Sequence, residues 1–221
     1  MKTHTHKRWI FAAVLLPTLI APITVAASYQ VTVDTSSLGV GSYYIDIQDN
    51  PGDSTSQVLT ALLSSFSLDG GSLLAGSDST IGDVTGTLPG SLTFINDTAL
   101  NDYYEGFTPG TDITFLLTLS GAAISSPNGT ADAGSSFAIS LYDSNGDPVL
   151  TDDAEGILGR IDVDLDGTLT VTSNPSSAAG AASDITFAPY EQPSSSIPEP
   201  ATAVLVCTVG LALVMVKRLR S

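Results

Sequence analysis

Three aspartates at alternate positions ahead of a glycine, Asp162, Asp164 and Asp166 before Gly167, are the residues whose types and spacing come closest to a working site. In a twelve-residue calcium loop, oxygen ligands at the first, third and fifth positions surround a hard cation, and glycine at the sixth makes the turn. The second half of that pattern fails here, because the twelfth position is Ser173, which has no carboxylate to offer. The same residues also read as a strand whose solvent face carries the aspartates while Ile161, Val163 and Leu165 point inward. The hairpin is the favoured reading and a calcium site the weaker one. Asp147, Asp152, Asp153 and Glu155, after the Asn145-Gly146 turn, are a second acidic group that reads mainly as solvated loop charge.

Other chemistry is poorly supplied. His4, His6 and Trp9 fall in an N-terminal segment expected to be removed, and the single cysteine, Cys207, falls in an apolar C-terminal stretch. Nucleophile systems built on Ser/His/Asp or Cys/His are therefore out of reach, as are histidine zinc sites. Paired carboxylates could in principle hydrolyse a glycoside, but among 23 acidic residues pairs arise by chance. The chain is read as a non-enzyme with no cofactor, calcium being the one weak candidate. Tyr43, Tyr44, Tyr103, Tyr104 and Phe107 could form a sugar-stacking surface, although core and strand-edge packing explains them more simply. Asn96-Asp97-Thr98 and Asn128-Gly129-Thr130 fit the glycosylation sequon, a short match that also arises by accident.

These residues must be positioned by β-structure. Short apolar runs of period two recur between Gly, Asn, Asp and Pro, and helical periodicity is nowhere sustained. In residues 113–120, Ile113, Phe115, Leu117 and Leu119 share one face; in 42–48, Tyr43, Ile45 and Ile47 do; 91–95 and 135–142 read alike. Residues 161–172 form a hairpin with an Asp166-Gly167 turn. Residues 57–68 are ambiguous: Val58, Leu59, Leu62, Leu63 and Phe66 fit a short helix nearly as well as a strand. Roughly eight to ten strands imply an all-β, antiparallel β-sandwich or jelly-roll-like single domain over residues 28–190.

Charge narrows the partners. Of the seven basic residues, three lie before residue 9 and three after residue 216, leaving Arg160 alone against 23 acidic residues in the interval 28–200, a formal net charge of −22. Nucleic acid, whose recognition needs basic patches, is excluded as a partner. Acidic polysaccharide and anionic lipid are repelled unless divalent cations intervene.

Both ends carry targeting features. Lys2, Lys7 and Arg8 precede an apolar core, residues 10–20, and Val25-Ala26-Ala27 offers small residues for cleavage, so residues 1–27 read as a signal peptide cut between Ala27 and Ser28. Residues 191–200 form a Ser/Pro linker ending in Pro198, Glu199 and Pro200. The apolar residues 201–216 follow, and a basic tail at 217–221 contains Lys217, Arg218 and Arg220. At about 1.5 Å per residue the apolar stretch reaches roughly 24 Å, a little short of a hydrocarbon core of about 30 Å. The flanking basic side chains can snorkel to make up the difference and favour the cytoplasmic side.

Pro198-Glu199-Pro200, the transmembrane helix directly behind it and the terminal basic cluster, in this order, resemble the PEP-CTERM sorting signal of exported bacterial proteins. Segments 82–90, 101–107 and 140–143 also resemble an ectodomain type that recurs among such proteins and has no defined biochemical role. The resemblance implies that an exosortase-type membrane processing enzyme reads the tail, with Glu199 and its prolines as the recognition element. It also implies a precursor anchored in the inner membrane and a product at the cell surface or in the extracellular matrix of a biofilm. The expected role is structural or adhesive. The alternative is a calcium-dependent carbohydrate-binding module of the extracellular polysaccharide.

Overall fold

The computed structural model describes residues 26–176 and 184–191. The expected signal segment up to residue 25, Pro198, Glu199, Pro200, the apolar stretch 201–216, Lys217, Arg218 and Arg220 all lie outside the described residues.

The chain is all-β. Its strands are β1 (Ala27–Asp34), β2 (Tyr43–Pro51), β3 (Thr60–Leu68), β4 (Ser72–Leu73), β5 (Ser79–Ile81), β6 (Val84–Gly86), β7 (Leu92–Ile95), β8 (Asp102–Thr108) and β9 (Asp112–Ser120). After one helical turn, α1 (Ala122–Ser125), come β10 (Ser135–Tyr142), β11 (Ile157–Val163), β12 (Leu169–Ser173) and β13 (Ile185–Pro189). They form two antiparallel sheets. One runs β13-β1-β9-β3-β7-β6; the other runs β12-β11-β10-β2-β8-β4, with β5 also paired to β8. No helix among the described residues is long and apolar enough to cross a membrane.

Alternation dictates what each strand buries. Along β9, Ile113, Phe115, Leu117 and Leu119 are fully buried while their neighbours are half-exposed. Ile45 and Ile47 from β2, Phe107 from β8 and Phe137, Ile139 and Leu141 from β10 bury the inner face of the second sheet. The two sheets share one core cluster, in which Phe94 of β7 meets Phe137 of β10 edge-on at 6.4 Å. Each fully buried aliphatic or aromatic side chain of this kind contributes about 1.5–3 kcal/mol.

The structure settles one open local reading and corrects another. The ambiguous stretch 57–68 is strand from Thr60 onward, with a bulge between Ser64 and Ser67 where Ser65 takes a left-handed conformation, φ 56°. Ala61 and Leu63 face inward before the bulge and Phe66 after it, because one extra residue resets the alternation. Leu62, an apparent member of a helical stripe, is 38% exposed. The hairpin at 161–172 exists, but its turn is not the two-residue Asp-Gly type. Strand pairing ends at Val163↔Leu169, and Asp164 and Thr168 close a three-residue loop through Asp164 N–H to Thr168 O at 2.9 Å. Gly167 sits at φ 81°, which a three-residue hairpin loop requires and glycine supplies without strain. Leu165, expected to point inward, is therefore in the loop and 36% exposed.

Candidate functional site

The aspartates of the Asp-x-Asp-x-Asp-Gly segment do three separate jobs. The Asp162 carboxylate lies 3.0 Å from Arg160 Nε on the outward face of β11. Asp164 closes the hairpin through its backbone. The Thr168 hydroxyl, and then Thr168 N–H donating to Asp166 Oδ1 at 2.9 Å, hold the Asp166 carboxyl below the usual carboxylate range. In the second acidic group, Asp153 accepts from the N–H groups of Glu155 and Ile157, and Asp147 N–H donates to Asp143. These are the local side-chain bonds by which aspartate stabilises turns. No group of three or more His, Cys, Asp and Glu able to hold a metal occurs among the described residues. Of the two sequons, Asn96 is buried. It accepts from Leu59 N–H at 2.7 Å and donates to Gln57 O at 3.1 Å and Ser135 Oγ at 2.6 Å, so it is a strut of the interior.

The tyrosine group divides along the strand period. Tyr103 and Phe107 are fully buried, and Tyr43 packs against the core, its ring 6.1 Å from that of Phe107. Tyr44 and Tyr104 face outward, where Tyr142 of β10 joins them. Because β2 lies between β10 and β8, with Tyr44 opposite Tyr142 and Asp46 opposite Tyr104, the three rings form a row across adjacent strands. The Tyr44 and Tyr104 rings are 5.2 Å apart and 13° from parallel; Tyr104 and Tyr142 are 6.5 Å apart. One end of the row is walled. A Cβ on Gly106, opposite Tyr44, would come within 2.9 Å of Leu74 Cδ1 and 3.0 Å of Ser77 Oγ, so only glycine lets the loop carrying these residues lie flat on the sheet.

Next to the tyrosines runs a polar chain. Asn50 Nδ2 donates to Gln48 Oε1 at 2.8 Å, and Gln48 Nε2 donates to both oxygens of Asp46, at 3.1 and 3.0 Å. Asp46 in turn shares a hydrogen bond with Asp102, which sits opposite Gln48 on β8. Burial, followed by the neighbouring Asp102 charge, pushes the Asp46 carboxyl up to about 7, and burial raises Asp102 as well. The two carboxyls titrate together. Asp46 is only 8% exposed, and Asp102 Oδ1 is shut off from solvent. Further along the same face a shallow depression of about 480 Å³ is lined by Asn50, Ser136, Arg160, Asp162, Asp164 and Thr170. The face thus combines a half-buried aromatic row, amides and a pair of neighbouring carboxyls.

Asp49, one residue from this face, points the other way. It is fully buried in the interior, both its carboxyl oxygens lack partners among the described residues, and burial alone pushes its carboxyl up to about 8. Neither its inward position nor the meeting of Asp46 with Asp102 is among the sequence expectations. The alternation Tyr44, Asp46, Gln48, Asn50 against Ile45 and Ile47 was the available signal. No protein family, no curated protein and no solved structure matches this chain.

Proposed function

We propose that this chain is an exported bacterial protein, tethered and sorted through its C-terminal tail, whose jelly-roll-like β-sandwich acts by adhesion within a carbohydrate-rich surface layer. The tail reading rests on Pro198, Glu199 and Pro200 ahead of the apolar stretch and on Lys217, Arg218 and Arg220, a combination suited to an exosortase-type processing enzyme in the inner membrane. The signal-peptide reading fits the start of the fold. Cleavage between Ala27 and Ser28 costs β1 a single terminal rung, while Ser28 keeps its hydroxyl contact to Thr118 Oγ1 and its carbonyl bond to Tyr190 N–H.

The observation that carries the adhesive role is the outer face of the seven-stranded sheet. A row of half-buried tyrosines beside amides and carboxyls suits a sugar, which offers an apolar ring face and a rim of hydroxyl donors. An open face spanning several strands suits a polymer. Calcium is not needed for this mode of binding, since the contacts are rings and side-chain acceptors already in place. The test is retention of the full chain, in detergent, on immobilised polysaccharides. Wild type should be retarded and Tyr104→Ala released, with an unchanged circular dichroism spectrum; equal mobility of both proteins on every polymer would refute the adhesive face.

A further inference from the structure

Two of the asparagines in the chain precede glycine, Asn128 before Gly129 and Asn145 before Gly146. We infer that Asn128 is a self-modifying site: the backbone nitrogen of Gly129 closes on the side-chain amide, ammonia is expelled, and the aspartate or isoaspartate that results loosens the loop 126–132 from the segment 55–57. Such a reaction needs a backbone N–H on the next residue, room for a small ring to close, and stabilisation of the oxyanion formed on the way. Asn50 and Asn174 are followed by Pro51 and Pro175, which have no N–H. Asn96 and Asn101 are buried, and their amides are engaged by the interior. Asn128 and Asn145 are both exposed, and a Cβ on either following glycine would meet nothing within 4 Å.

Local hydrogen bonds separate the two. The Asn128 carboxamide oxygen accepts from Thr130 N–H at 3.0 Å and from the Thr130 hydroxyl at 2.8 Å, while Gly129 N–H and Asn128 Nδ2 make no hydrogen bond among the described residues. Two donors thus already hold the atom on which negative charge gathers when Gly129 N attacks Cγ, and both the nucleophile and the leaving amide are unengaged. At Asn145 the arrangement is reversed. Gly146 N–H donates to Asp143 O at 3.1 Å, Asn145 Nδ2 donates to Asp143 Oδ2 at 3.1 Å, and the Asp143 carboxylate beside the side chain opposes a second negative charge. The step balances with water alone. Gly129 N gives up its proton as the N–Cγ bond forms, Nδ2 takes one as the Cγ–Nδ2 bond breaks and leaves as ammonia, and water then opens the cyclic imide at either carbonyl. Opening on one side gives aspartate; on the other it gives isoaspartate, whose main chain runs through Cβ and is longer by that carbon. The loop is anchored on both sides of the insertion. Before Gly129, Gln57 Oε1 accepts from Asn128 N–H at 2.8 Å and Gln57 Nε2 donates to Ser126 O at 3.1 Å; after it, Asp132 N–H donates to Thr55 Oγ1 at 2.9 Å. A longer chain between these anchors opens one of them.

The experiment is peptide mapping by mass spectrometry of the full chain in detergent, held in warm, mildly alkaline buffer and sampled over time, once folded and once unfolded in guanidinium chloride. In the folded chain Asn128 should convert about tenfold faster than Asn145, equivalent to about 1.4 kcal/mol of barrier. In guanidinium chloride, where only the shared Asn-Gly sequence acts, the two should convert alike. Thr130→Val, nearly the same shape without the hydroxyl donor, should slow Asn128 several-fold in the fold and leave its rate in guanidinium chloride unchanged. Hydrogen exchange over residues 126–132 should rise in step with conversion. A folded Asn128 no faster than Asn145, or a folded rate that Thr130→Val does not change, would overturn the self-modifying site, and a loop as protected after conversion as before it would overturn the loosening.

Discussion

Replacing Asp49 by asparagine should change how stability depends on pH more than it changes the fold. Asp49 is fully buried, its carboxyl oxygens have no partner among the described residues, and its folded-state value is about 8. An unfolded aspartate titrates near ~3.9. The native state therefore holds a proton that the unfolded state releases, so the stability this group contributes is complete below about pH 4 and drains away as pH rises toward the folded value of about 8. Each pH unit in that window costs about 1.4 kcal/mol, so between about pH 4 and pH 7 wild type should lose about 4 kcal/mol through this side chain alone. For a domain of this size that corresponds to a melting-temperature change of roughly 10 °C. The amide side chain of the variant cannot ionise, so urea denaturation of wild type and Asp49→Asn at a series of pH values should show curves that diverge by about this amount, the variant gaining on wild type as pH rises. Asp46 and Asp102 titrate in both proteins and cancel in the difference. Parallel curves from acid to neutral pH would refute the reasoning, since they would mean that the Asp49 carboxyl ionises as freely in the fold as outside it.

Two further outcomes are expected. Glu199→Ala should accumulate an unprocessed, membrane-retained precursor, while intact-mass measurement of the wild type should show a chain that begins at Ser28 and has lost its tail; identical masses and locations for both proteins would leave a plain membrane anchor. Thermal melts in millimolar calcium and in sodium of matched ionic strength should nearly coincide, for wild type and for Asp164→Asn alike, because the carboxylates of Asp162 and Asp166 are engaged by Arg160 and Thr168 and leave that of Asp164 as a lone ligand. A calcium-specific rise in wild type that is lost in Asp164→Asn would restore the calcium site.

The strands whose alternation is uninterrupted could be read directly. In β9 every second residue is apolar and buried, and in β10 Phe137, Ile139 and Leu141 keep the same period, so pattern and burial agree. Where a strand changes phase the sequence misleads: the bulge at Ser65 moves Phe66 onto the face of Ala61 and Leu63, and the resulting spacing imitates a helical stripe. The hairpin loop hides in the same way, because Leu165 continues the alternation of Ile161 and Val163 for one residue beyond the last pairing. The Tyr-Tyr pairs at 43–44 and 103–104 could have been divided from the sequence, since consecutive strand residues must face opposite ways. The carboxyl pair could not. Asp46 and Asp102 are far apart in the chain and meet only because β8 lies beside β2 in one particular register, a long-range fact that local pattern does not contain.

The first and last strands of the described fold are neighbours, with Tyr29 opposite Pro189, and β13 forms the outer edge of its sheet. Tension entering the chain beyond Glu191 thus reaches the body of the fold through β13, whose ladder runs against β1 alone, from the Asp34 N–H bond to Asp184 O through to the Tyr190 N–H bond to Ser28 O. Resistance to such a pull is supplied by those few rungs together with Ile185, the side chain through which β13 enters the core. A pull too weak to disturb the tyrosine face can still peel the edge strand, so the sheet that bears load and the sheet that carries the polar face are different ones.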